Sequence, residues 1–307
     1  MRSPIVFSEH SIFITSRKLS YTLMTIKSSG NPQERKTPEG LIIKAALVVL
    51  LASLTSFAGI CYRDSIYNRD TSFLLSAFYG NDLYTLIVAI PLTIQVIYKC
   101  RLEGNEKQYL VFLGLMDYMI YNFQFYLFGA SFNSLFLLYC AIVALSTMSL
   151  LCGVVQMIVN SDGTVFSDTP IGTSHPWIAG YMMFTAFSLL HVYVSQFADF
   201  FMNGILPEII TVTGHTTNIV FALDLTNVVP WMLLGGIGLM KKKNWGYSIA
   251  AIVNGKGAVY MGALAASTAM AMFEKNIEME DGKSQLFLWT MLGLGSSISA
   301  FRLLSDK

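Results

Sequence analysis

Asp117, Tyr121, Asp224, Asn227, Lys256 and Tyr260 are polar or ionisable side chains set inside long apolar runs. An ionisable group at membrane depth costs about 2.5–3.5 kcal/mol on insertion scales, so it turns toward a bundle interior or a cavity and seeks a partner. The chemistry open to such a set is ion pairing, hydrogen bonding and the passage of a small solute, ion or proton. Their spacing supports that reading. At about 100° per residue, Asp117, Tyr121 and Gln124 fall within an arc of about 60°, with Tyr118 and Asn122 further round the same helix. Ser188, His191, Ser195 and Asp199 form another single-face stripe. Asp224 and Asn227 are one turn apart and precede Pro230, while Lys256, Tyr260 and Ser267 share a face with Asn254 nearly opposite. At about 1.5 Å per residue, Lys256 lies roughly 14 Å and Asp117 roughly 12 Å from the cytoplasmic end of their helices, whereas Asp224 is about 8 Å below the outer boundary. The depths predict a Lys256–Asp117 ion pair, with Lys256–Asp224 as the second choice, and place His191 and Asp199 along the outer half of the same cavity. The rival reading is that the pair and its neighbours only fix how helices pack.

Other chemistries lack their residues. No G-x-x-x-x-G-K-[ST], G-x-G-x-x-G or H-E-x-x-H occurs, which leaves nucleotide-driven transport and zincin proteolysis without support. His10, His175, His191 and His215 are too dispersed for a haem or metal cluster. Ser195 and His191 are one turn apart, but nothing else builds a hydrolytic centre around them, and a proton relay through His191 and Asp199 is the better use of that stripe. No catalytic residue, metal site or cofactor is expected, and an enzyme is not the expected class. Cys61, Cys100, Cys140 and Cys152 contain no C-x-x-C pair and are read as buried or idle thiols. A net charge of +1 argues against nucleic acid, which needs a concentrated basic surface.

The elements that must position these residues are membrane helices. The 307 residues are 54% hydrophobic and 13% charged, against about 25% charged in soluble domains, so the chain cannot cover a soluble surface with charge. A spanning helix needs about 20 mostly apolar residues, because lipid offers backbone groups no partner. Eight stretches qualify: 41–60, 82–99, 109–129, 132–159, 177–200, 219–240, 245–273 and 286–304. The fold expected is an all-α, polytopic transmembrane bundle of about eight spans. Pro91 marks the second span as kinked or oblique, and the third and fourth are close enough to form an antiparallel hairpin. Lys and Arg in short loops set the orientation. Arg35, Lys36, Lys99, Arg101, Lys107, Lys241, Lys242, Lys243, Arg302 and Lys307 fall on one side, which places both termini in the cytoplasm. The other side holds Arg63, Arg69, Lys275 and Lys283, among the acidic Glu274, Glu278, Glu280 and Asp281. Stripes of small residues, such as Ala258, Gly262 and Ala266, predict close helix approach. Residues 1–40 are polar, contain Pro32 and Pro38, and are expected to be a disordered tail. A presequence and a start at Met24 are the alternatives there.

Several stretches resemble a family of uncharacterised prokaryotic eight-span integral membrane proteins: N-D-L-Y-T-L-I-V-A-I-P (Asn81 to Pro91), Y-N-F-Q-F-Y-L-F-G-A-S-F-N-S-L-F-L-L-Y (Tyr121 to Tyr139), T-T-N-I-V-F-A-L-D-L-T-N-V-V-P (Thr216 to Pro230) and K-K-K-N-W-G-Y (Lys241 to Tyr247), followed by Lys256-Gly257. The resemblance covers about 40–300. It implies a multi-pass protein of the prokaryotic cytoplasmic membrane, with Asn81, Asp82, Asn122, Asn133, Asp224, Pro230 and Lys256 as its polar signature, and it implies no activity. The function expected is transporter- or permease-like, handling a small solute or ion. A membrane sensor or assembly subunit with structural ion pairs is the alternative, and a lipid-acting membrane enzyme the second alternative. The bilayer is the expected partner; the sequence does not speak to oligomeric state.

Overall fold

A computed structural model describes residues 37–103, 105–160 and 175–305, and these are helical with short connections. The expected tail at 1–40 lies outside the described residues apart from its last four. In chain order the helices are α1 (Glu39–Cys61), the short α2 (Arg63–Ile66), α3 (Ser72–Tyr84), α4 (Ile90–Glu103), α5 (Glu106–Gly129), α6 (Phe136–Asn160), α7 (Pro176–Asn203), the short α8 (Glu208–Thr213), α9 (Ile219–Asn227), α10 (Val229–Met240), α11 (Asn244–Phe273) and α12 (Met279–Ser305). A π-helical stretch, Thr85–Ala89, joins α3 to α4. Among the described residues, seven helical segments are long and apolar enough to cross a membrane: α1, α3 through α4, α6, α7, α9 through α10, α11 and α12. The chain is therefore a multi-pass membrane protein in character.

The remaining long helix, α5, has 24 residues and is mostly buried by its neighbours. It packs against α6, α11, α4 and α9. A helix enclosed by protein has no lipid to satisfy, so polar side chains replace apolar ones along it; this is why α5 falls short on hydropathy while matching the others in length. Its start is capped by Asn105, whose side chain accepts a hydrogen bond from the Lys107 amide at 2.9 Å. The turn after Gly129 returns into α6 as the expected antiparallel hairpin, pinned where the Ser131 amide donates to Asp70 Oδ1 at 2.7 Å.

Two spans depart from their expected bounds. The second does not begin at 82: the helix starts at Ser72, where Thr71 accepts from the Leu74 amide at 3.4 Å, and continues to Glu103. Its first ten residues carry Ser76, Gly80 and Asn81, which are buried against neighbouring helices, so they lack the apolar look of a lipid-facing turn. The π-helical stretch is closed by the Ile90 amide bonding to the Thr85 carbonyl immediately before Pro91, the residue expected to kink the span. The sixth is split at Val228, with Pro230 in the first turn of its second half.

Contacts between helix ends group them by side. At one end of the bundle Arg63 Nη1 pairs with Glu274 Oε1 at 2.5 Å, and His215 Nε2 bonds the Gly129 carbonyl at 2.7 Å. At the other, Thr37 donates to the Cys100 carbonyl at 3.0 Å and Tyr247 to the Leu303 carbonyl. α11 is the hub, packing on α12, α3, α10 and α5. Where α5 meets α11, a Cβ on Gly114 would stand 2.9 Å from the Ile252 carbonyl, so the two backbones approach as closely as only glycine permits. One turn beyond that contact lie Asp117 on α5 and Lys256 on α11.

Candidate functional site

Lys256 is 3% exposed and is the only buried Lys or Arg among the described residues. Its ammonium is held from three directions. Asp117 Oδ2 lies at 3.4 Å, completing the ion pair expected first. The backbone carbonyl of Asn227 accepts from Nζ at 3.2 Å. The ring of Tyr121 lies beneath it, 4.6 Å from Nζ to the centroid, in cation–π geometry. The Asn227 carbonyl is available because α9 ends there: the last carbonyls of a helix lack intrahelical donors and carry its negative dipole end. The break before Pro230 thus creates an acceptor for the cation on α11.

Asp224, one turn earlier on α9, does not pair with Lys256 directly. Tyr121 donates to its Oδ1 and Tyr193 of α7 to its Oδ2. Tyr121 therefore links both halves of the cluster, its ring under the cation and its hydroxyl on the second carboxylate. Tyr260, one turn after Lys256, meets the Tyr121 ring edge-on at 4.6 Å and holds it upright. Asn227 Nδ2 donates to Gln124 Oε1 at 3.3 Å, tying the helix break to α5.

Six of the eight expected site residues therefore come together: Asp117, Tyr121, Asp224, Asn227, Lys256 and Tyr260. His191 and Asp199 do not, and the cavity lining expected of them is corrected here. Both are exposed, as is Ser195. α7 buries a different face, Ile178, Met182, Thr185, Ala186 and Tyr193, against α10 and the cluster. His191 and Tyr193 are two residues, about 200°, apart on the helix, so burying one exposes the other. Apolar spacing decided the face, and the polar stripe lost. Tyr193 was missed as a site residue, although its register with Ala186, seven residues earlier, was the signal that could have found it.

Compared with family models, with curated proteins and with solved structures, the chain matches none.

Proposed function

We propose that this is an eight-span, transporter- or permease-like protein of the prokaryotic cytoplasmic membrane, with both termini inside, in which α5 crosses as the eighth, protein-enclosed span. The Lys256 cluster is the centre at which a small ion or polar solute is handled. One observation carries the reading: a buried cation sits against the carbonyl end of a half-helix in a broken span. Discontinuous spans that place a half-helix end at the membrane midplane are the usual construction of ion and solute sites in secondary transporters. An incoming anion would compete with Asp117 for Lys256, and an incoming cation would compete with Lys256 for Asp117 and the Asn227 carbonyl.

A structural role has one observation in its favour, namely that both Asp224 oxygens are already occupied by protein donors. The two readings separate in proteoliposomes. The charge-balanced variant Lys256→Met with Asp117→Asn leaves the net charge of the cluster unchanged and is expected to retain the fold, with Asp224 still held by its two tyrosines. Under the transport reading it loses the solute-driven currents of the parent across a panel of small anions, cations and zwitterions. A parent that is electrically and isotopically silent across that panel, with a variant of lowered stability, supports the structural role instead.

A further inference from the structure

Lys256 serves Asp117, and two tyrosines serve Asp224, but a third carboxylate has no such arrangement. Asp82, on α3, is 2% exposed. Its Oδ1 accepts from the Tyr126 hydroxyl of α5 at 3.0 Å, while its Oδ2 has no hydrogen-bond partner among the described residues. That oxygen is pressed against α1: a Cβ on Gly59 would stand 2.1 Å from it and 3.1 Å from the Tyr67 hydroxyl. The Ser56 hydroxyl lies on the same face of α1, is fully buried, and stands close enough to the Asp82 carboxyl to interact with it, yet it makes no well-formed hydrogen bond. Tyr67 bonds to Tyr139 of α6, hydroxyl to hydroxyl, at 2.9 Å, and its hydroxyl also stands close enough to the Asp82 carboxyl to interact with it. α1, α3 and the turn after α2 thus bring a carboxylate oxygen and two hydroxyl oxygens together in a buried place, with no Lys or Arg among the described residues paired to the carboxylate.

We infer that Asp82 Oδ2, with the Ser56 and Tyr67 hydroxyls, forms a binding site for a small monovalent cation, separate from the Lys256 cluster. A hard cation prefers oxygen ligands such as carboxylate and hydroxyl, and these are the atoms present. One carboxylate among neutral ligands balances one positive charge; a divalent ion would leave a net charge buried in apolar surroundings, which is costly. Gly59 packs directly against Oδ2 and leaves no room there for a large ion, so Na⁺ is the probe.

The test is thermal unfolding of the purified full chain in detergent, in NaCl and in choline chloride at equal ionic strength. Na⁺ is expected to raise the transition by several degrees, since an ion that binds only the folded state stabilises by mass action. Asp82→Asn, nearly isosteric, should abolish the Na⁺ response, and Ser56→Ala should raise the Na⁺ concentration needed for half of it. A parent that does not respond to Na⁺, or an Asp82→Asn protein that responds like the parent, overturns the proposal. So does an Asp82-dependent response to pH alone, which assigns the oxygen to a proton. Should Asp82→Asn fail to fold, Ser56→Ala carries the test, and an unchanged Na⁺ midpoint refutes the site.

Discussion

α5 carries polar side chains on two faces, and the faces are built to different ends. Toward α9 and α11 it presents Asp117, Tyr121 and Gln124, which meet a lysine, a helix break and a second carboxylate whose oxygens are both bonded. Toward α3 it presents Tyr118, Asn122 and Tyr126 at four-residue intervals, which meet Thr85, Asn81 and Asp82 in turn. Both faces use tyrosine hydroxyls to approach a buried carboxylate. Only the first has a cation. Among the described residues the first face has no buried side-chain atom left without a hydrogen bond, and the second leaves Asp82 Oδ2 and Asn122 Nδ2 without a well-formed one, as it does Ser56 Oγ beside the carboxyl. The lesson is that buried polarity alone does not tell a packing device from a binding site, whereas the balance of donors, acceptors and charge does.

The contrast is broken most forcefully at Lys256. Lys256→Met alone strands Asp117 and should destabilise the fold by roughly 3–5 kcal/mol, while adding Asp117→Asn should restore most of that, as measured by unfolding in mixed detergent. Equal losses for the single and double variants would show that charge balance is not what holds this face. On the opposite face, Gly59→Ala must displace the Asp82 carboxylate and should cost about 1–3 kcal/mol, together with any Na⁺ response. A stable alanine variant with intact Na⁺ stabilisation would mean that the carboxylate is not seated against α1.

Tyr193→Phe removes one of two donors to Asp224 and should cost about 1–2 kcal/mol without unfolding the protein, seen as a lowered midpoint in the same assay. The smallest effect belongs to the end of the bundle. Burial opposes ionisation of Glu274, but its hydrogen bonds from Arg63 and Ser76 outweigh this and hold its carboxyl below its ordinary value. A carboxyl with a depressed folded-state value contributes stability that is present above its unfolded value and lost as pH falls through the folded one. The solvent-accessible setting at the end of the bundle, where both side chains are about a quarter exposed, limits the contribution to under about 1 kcal/mol. Glu274→Gln should therefore lower the neutral value by up to that amount, leave the acid value unchanged and so flatten the acid limb below about pH 4.5, in a pH-resolved unfolding series.

How far all this was legible in the sequence differs by residue. The Lys256–Asp117 pair followed from depth, because helices of known rise place two charges at the same level. Helix existence was equally readable, since about 20 apolar residues have few alternatives. The start of the second span was not, because Ser76, Gly80 and Asn81 face other helices and mimic a loop. The choice of face on α7 was misread for the opposite reason, polar residues at regular spacing having outweighed the apolar register of Ile178, Met182 and Ala186. Asp82 appeared only through the resemblance, since membrane depth was reckoned from a helix start ten residues too late. The division of the sixth span was foreshadowed by Pro230, but which group would take the freed carbonyl depended on the approach of α11.

The π-helical stretch between Thr85 and Ala89 has its own implication for Asp82. Five residues there occupy a turn that an α-helix closes with about one fewer, so the part of the span above it is turned by roughly 100° relative to an uninterrupted helix. Deleting a single residue from that stretch would let the lower half keep Thr93 and Val96 where they are, yet swing Asn81 and Asp82 off Asn122 and Gly59. The angular setting of the whole upper segment, and with it the partnership between α1, α3 and α5, hangs on one residue of extra chain.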